Sequence, residues 1–183
     1  MSNDLTGTPH LWILDSVGIL SETPVWISKI IYIPTTAADD LLFKEWNENT
    51  TVATGTKSGE TAVSIASSSV LTVTGKLPST IADGHVFEIT ATDGDTTNLG
   101  KRVVESNAGN DNSITIQEDN WQDESGKTYS WQTFATVNSI VLKAGASDAS
   151  PIHVDFGVKG RRFPNLTLET IDHGYAYVYL LIS

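Results

Sequence analysis

The chain has no cysteine in 183 residues. Disulfides, thiolate nucleophiles and thiolate metal sites are therefore excluded, and the fold must rest on packing and hydrogen bonds. That absence fits a reducing compartment, and equally a particle that persists outside cells whatever the redox state. Positive charge is scarce: 11 Lys and Arg stand against 22 Asp and Glu, a net charge of −11. So acidic a surface repels a phosphate backbone and argues against nucleic acid as a partner. Long apolar runs are missing. Nothing approaches the roughly 18 uninterrupted apolar residues of a spanning helix. The opening MSNDLTGTPHLWILD also lacks the basic-then-apolar order of an export signal, so the expectation is a soluble chain with no membrane contact. Helical periodicity is absent too, since no stretch keeps an apolar 3.6-residue period over three turns. An all-β protein is the expectation.

What the sequence does have is a period of two. Near the C-terminus, Tyr175, Tyr177 and Tyr179 alternate with Ala176, Val178, Leu180 and Ile182, the pattern of a central strand covered on both faces. Its best-matched partner is residues 25–33, VWISKIIYI, at the other end of the chain. There Val25, Ile27, Ile31 and Ile33 share one face, and Trp26, Ile30 and Tyr32 the other. The two termini are expected to pair. Further strands are expected at residues 11–14, 41–46, 139–143, 152–156 and 166–171, with a turn at Asp15, Ser16 and Gly18 and a loose arm over residues 1–8.

Aromatics thin out in the middle, where Phe87 is the single aromatic residue from Asn47 to Asn120. Short strands are expected at 62–65, 70–74, 86–91, 102–104 and 113–117, around a small aliphatic core. Turns at Ser58-Gly59, Asp83-Gly84, Asp93-Gly94 and 110–112 separate them. Aromatics return with Trp121 and the strand 129–137, which places Tyr129, Trp131, Ala135 and Val137 on one face. The domain organisation that follows is a discontinuous β-sandwich anchor made of residues 1–47 and 137–183. Into it is inserted a small β-barrel or sandwich domain of residues 48–136.

Constellations of reactive residues are few. His153 and Asp155 share a strand face, but His10, His85 and His173 show no matching pairs, and a complete metal site takes three or four ligands; a solvated face is the plainer reading. Asp93-Gly94-Asp95 begins like a calcium loop, yet Val104 stands where the closing carboxylate belongs, so a hairpin turn is expected. Residues 157–162, GVKGRR, lead into Phe163-Pro164 and not into a helix N-terminus, so they form a turn and not a phosphate loop. Arg161 and Arg162 beside Phe163 are a candidate docking point for an acidic partner, or else an internal ion pair with Asp155 or Glu169. The row Tyr175, Tyr177, Tyr179 is a candidate protein–protein seam, core layer or sugar-stacking platform. No catalytic, cofactor-binding or metal residue is assigned, and the chain is read as not an enzyme.

The terminal stretches resemble the small β-sandwich proteins encoded among the structural genes of tailed bacteriophages. The residues that carry the resemblance are LWILDSVGIL, PVWISKIIYIPTTAADDLLF and VNSIVLKAGASDASPIHVDFGVKGRRFPNLTLETIDHGYAYVYL. Residues 85–126 are similar to a small β-barrel module of phage virion proteins, through Asn98, Gly100, Val104, Ile114 to Ile116, and Asp123-Glu124. The resemblance implies a non-enzymatic virion structural protein made in the host cytoplasm and carried on the virion. It further implies a capsid decoration or cement protein on the outer surface of the head, with no cofactor. Its partners would be the major capsid protein or other virion proteins, and it would form a homo-oligomer, a trimer being favoured. A tail- or fibre-associated protein is the alternative within that class. From another class, a carbohydrate-binding module would use Trp46, Trp121 and Trp131, read as exposed, with the tyrosine row.

Overall fold

The computed structural model describes residues 11–57, 63–67, 69–73, 77–107, 113–118 and 120–181. They form fifteen strands and one 3₁₀ turn, with no α-helix among the described residues. The protein is all-β, as its alternating pattern implies. It divides into two compact units: Met1–Glu45 with Val137–Ser183, and Trp46–Thr136. The chain leaves and re-enters the first unit inside two long strands, β4 (Asp40–Lys57) and β11 (Tyr129–Lys143).

The first unit also holds β1 (Leu11–Leu14), β2 (Gly18–Ser21), β3 (Val25–Ile33), β12 (Ile152–Asp155), β13 (Arg161–Phe163), β14 (Leu166–Ile171) and β15 (Tyr175–Leu180). One sheet runs β1-β15-β3-β12, with β13 also on β3; the other runs β11-β4-β14-β2. Between them lies one core, from Leu14, Ile27, Ile30, Tyr32, Ala176 and Val178 on one side to Leu41, Phe43, Ile140, Leu142, Leu166 and Leu168 on the other. The two ends of the chain pair directly. β15 lies antiparallel to β3 with Tyr175 opposite Ile33 and Tyr177 opposite Ile31.

Two face assignments need correction. The register slips between Tyr179 and Leu180, so that Tyr179 faces Lys29 while Leu180 faces Ile27. A bulge of this kind swaps the faces of the strand beyond it. The core side of β3 therefore takes Ile27, then Ile30 and Tyr32, which strict alternation would separate. β15 is central but covered on one face only: Ala176 and Val178 are fully buried, whereas Tyr175 and Tyr179 are each 37% exposed.

The second unit holds β5 (Val63–Ser67), β6 (Val70–Val73), β7 (Val86–Thr92), the 3₁₀ turn (Thr96–Asn98), β8 (Gly100–Asn107), β9 (Ser113–Ile116) and β10 (Glu124–Ser125). Its strands follow the order β10-β5-β6-β9-β8-β7-β11-β4. The core is not purely aliphatic. Trp121, Tyr129 and Trp131 join Phe87 among Ile65, Leu71, Ile89, Val104, Ile114 and Ile116. Phe87 stacks on Trp131 at 5.6 Å and meets Trp121 edge-on at 6.4 Å.

Other boundaries moved for physical reasons. β4 continues to Lys57 because Thr51, Val52 and Thr56 suit a strand, and Gly55 leaves room for the Trp131 ring, which a Cβ there would approach to 2.6 Å. β11 is a single strand whose buried side shifts from Tyr129, Trp131 and Thr133 to Phe134 and then Ile140 and Leu142, leaving Val137 exposed. β2 begins at Gly18, the last residue read as a turn, while Asp15 and Ser16 lie outside any strand. The turns expected at Ser58-Gly59 and 110–112, the arm over residues 1–8, and the strand-end residues Ala62, Thr74 and Ile182 lie outside the described residues.

Gly174 opens β15 at φ +99°, where an added Cβ would sit 2.1 Å from the Ile33 carbonyl oxygen. Gly174→Ala is expected to lower stability by at least about 1–3 kcal/mol. The measurement is the urea midpoint, and an unchanged midpoint contradicts the close approach.

Candidate docking face

Because β15 buries its alanine and valine, its tyrosines must point the other way. Register places them in rows across the sheet: Leu11, Tyr179, Lys29 and Asp155 in one, Ile13, Tyr177, Ile31 and His153 in the next, with Tyr175 beside Ile33. Tyr175 and Tyr177 meet edge to face at 5.4 Å. Ile13 and Trp26 are among the exposed large apolar residues, Trp26 at 40%. The outer side of this sheet is thus an apolar and aromatic surface drawn from three strands. Trp26 was missed in the sequence because alternation grouped it with Ile30 and Tyr32, and only the bulge sends it outward.

The arginine pair is divided by the strand that carries it. Successive side chains on β13 face opposite ways. Phe163 is fully buried in the core, so its place in a docking patch is corrected. Arg161, on the same side as Phe163, lies over its ring at 4.8 Å and reaches Glu45 at 2.6 Å and the Ser139 hydroxyl at 3.1 Å. It bridges the two sheets. Neither expected partner takes it: Asp155 accepts from the Gly157 amide, and Glu169 pairs with Lys44 at 2.5 Å. Arg162 lies opposite Trp26 and is exposed. A shallow hollow of about 300 Å³ at this edge is lined by Ser28, Lys29, Asp155, Gly157, Val158 and Tyr179.

The tryptophans proposed for sugar stacking are elsewhere. Trp46, Trp121 and Trp131 are all buried in the second unit, which removes them from any exposed platform. Lys101 lies over Trp46 at 5.4 Å and Arg102 over Trp121 at 5.5 Å.

The expected hairpin turn at Asp93-Gly94-Asp95 belongs to a larger polar knot. Glu124 accepts from the Asp95 amide at 2.8 Å, from Asn98 Nδ2 at 2.8 Å and from the Tyr129 hydroxyl. Asn98 Oδ1 accepts from the Gln122 amide at 2.7 Å. Arg102 donates to the carbonyls of Thr97, Asn98, Leu99 and Gly100, and to Asn120 Oδ1 at 2.7 Å. Burial, then the Glu124 hydrogen bond, pushes the Tyr129 hydroxyl pKa up. The knot absorbs Asn98, Gly100 and Glu124 of the barrel-like pattern, while Val104, Ile114 and Ile116 are core. A Cβ at Gly94 would fall 2.2 Å from a Glu124 oxygen. These groups are satisfied by one another, which suits a structural role.

His153 and Asp155 do share the outer face. Among the described residues no group of three or more His, Asp or Glu is gathered as a metal site would need. A separate acid–histidine contact joins two loops of the first unit: buried Asp39 accepts from the Thr36 amide and hydroxyl at 2.8 and 2.5 Å and lies 3.1 Å from His173 Nδ1. Burial would raise the Asp39 pKa, but the Thr36 and His173 interactions outweigh it and lower the value from 3.8 to about 2. Nearby, burial first and then Asp39, Asp172 and Asp40 raise Tyr32 to about 12.

Comparison with protein-family models, curated proteins and solved structures finds no match to this chain.

Two outcomes follow from these placements. Phe163→Ala should cost about 3–5 kcal/mol, whereas Tyr179→Ala should stay within about 1 kcal/mol; equal losses in chemical denaturation would reverse the core and surface assignments. A carboxyl held below its unfolded pKa contributes stability above that value and loses it as pH falls. The stability difference between the native chain and Asp39→Asn should therefore shrink as pH drops from about 4 to about 2. A difference independent of pH across that window would refute the role given to the charged form.

Proposed function

We propose that this chain is a non-enzymatic virion structural protein of a tailed bacteriophage, a decoration protein that seats the first unit on the outer surface of the head. The observation that carries this reading is the apolar and aromatic outer side of the β1-β15-β3-β12 sheet. Monomeric soluble proteins rarely expose large contiguous apolar patches, and such patches mark interaction sites. Its partners are the major capsid protein or other virion proteins, with the chain acting as a homo-oligomer, a trimer being favoured. The all-β fold, the lack of cysteine and the resemblance of the terminal stretches to phage structural proteins support the same reading. A tail or fibre position uses the same face. The half-exposed rings of Tyr175 and Tyr179 favour one reading of another class, a carbohydrate-binding module, now without its tryptophans.

Purified heads lacking decoration should co-sediment with the chain, and Tyr177→Glu should weaken that binding at least about tenfold, a loss of about 1.4 kcal/mol, while leaving the fold intact by circular dichroism. Failure to bind heads or tails, together with a monomer at every concentration by light scattering, would refute the virion reading. Selective binding on a glycan array that Tyr175→Ala abolishes would put the carbohydrate reading in its place.

A further inference from the structure

The cations of the first unit are divided in a way the net charge conceals. Of its six, Lys44, Lys143 and Arg161 are held in ion pairs with Glu169, Asp40 and Glu45. Lys29, Lys159 and Arg162 have no ion pair among the described residues. All three lie on or beside the apolar outer face. Lys29 stands in the row with Tyr179, and Arg162 opposite Trp26. Lys159 is exposed in the turn that closes with the Gly160 amide donating to the Gly157 carbonyl at 3.0 Å. In those rows the single acid is Asp155, which stands opposite Lys29, accepts from the Gly157 amide and forms no ion pair with Lys29. The first unit of a chain with twice as many acids as bases thus keeps its unpaired bases, among the described residues, on or beside this apolar face.

We infer that this face binds an acidic protein surface with an apolar centre. Ile13, Tyr177 and Ile31 supply the apolar middle of the contact, and Lys29, Lys159 and Arg162 its cationic rim. Rim charges of this kind steer encounter and select the partner's sign more than they add affinity. The same arrangement disfavours a symmetric dimer through this face, because each copy would present cations to cations. Lys29 and the tyrosines are carried on paired strands, so little conformational freedom is lost on binding. The inference rests on the docking face of the virion reading and adds the chemistry of its partner.

A soluble probe is the random copolymer of glutamate and tyrosine, with the glutamate homopolymer as control, titrated into the full ¹⁵N-labelled chain. Expected are amide shifts confined to β1, β3, β13, β15 and the 157–160 turn, larger for the copolymer, and weakened about tenfold by high salt. The double variant Lys29→Glu with Arg162→Glu should abolish the shifts while keeping the native spectrum elsewhere. Shifts absent from these strands, or unchanged by charge reversal, would overturn the inference. So would a symmetric dimer of the native chain whose interface maps to the same amides. Capsid binding that is insensitive to salt and to the double variant would leave the virion reading standing and remove this one. Copolymer binding by a chain that ignores capsids would do the opposite.

Discussion

The antiparallel pairing of β15 with β3 is the constraint on which the first unit depends. It joins residues about 150 positions apart, so its loop-closure cost is large and must be offset by what the pairing buries. That offset comes from Ala176, Val178, Ile27, Ile30 and Tyr32, which the register brings to one side against Leu41, Phe43, Leu166 and Leu168. A slip of one residue would expose that set and bury the tyrosines, so the register is strongly specified. The bulge between Tyr179 and Leu180 is part of the specification. It keeps Ile27 inside after Ile30 and Tyr32 have set the opposite phase, and it sends Trp26 out.

Adjacent arginines show how a strand assigns different work to like residues. Arg161 shares the side of Phe163 and bridges Glu45 and Ser139 on the facing sheet. Arg162, one residue on, lies on the outer side with Trp26. Lys44, Lys143 and Arg161 each have a carboxylate within ion-pair distance, whereas Lys29, Lys159 and Arg162, on or beside the apolar face, have none among the described residues.

The second unit solves a different problem. Of its six aromatics, Phe87, Trp121, Tyr129 and Trp131 share one core in which Phe87 meets both tryptophan rings, and Trp46 pairs with Phe134. Beside them a buried arginine and asparagine gather the backbone groups of the 3₁₀ turn and the loop leading to β10. Polar residues that suggest chemistry in a sequence, among them Asp95, Asn98, Arg102 and Glu124, are engaged in that bonding. Asn98 and Arg102 are buried, where unpaired polar groups are costly, and their partners close the network.

The sequence alone determined the all-β character, because a period of two over residues 175–182 and 25–33 is incompatible with a helix, and it pointed to the partnership of those two strands through their matched apolar content. The change of composition after Trp46 showed where the chain turns from one kind of core to another. Which face of each strand is buried was decided by tertiary structure, since a bulge shifts phase without any marker in composition. The fates of Phe163, Trp46, Trp121 and Trp131 were also decided there, because an aromatic ring reads alike whether it fills a core or meets a partner. Only the folded arrangement sorted the cations into paired and free, because ion pairs such as Arg161–Glu45 join residues far apart in the chain.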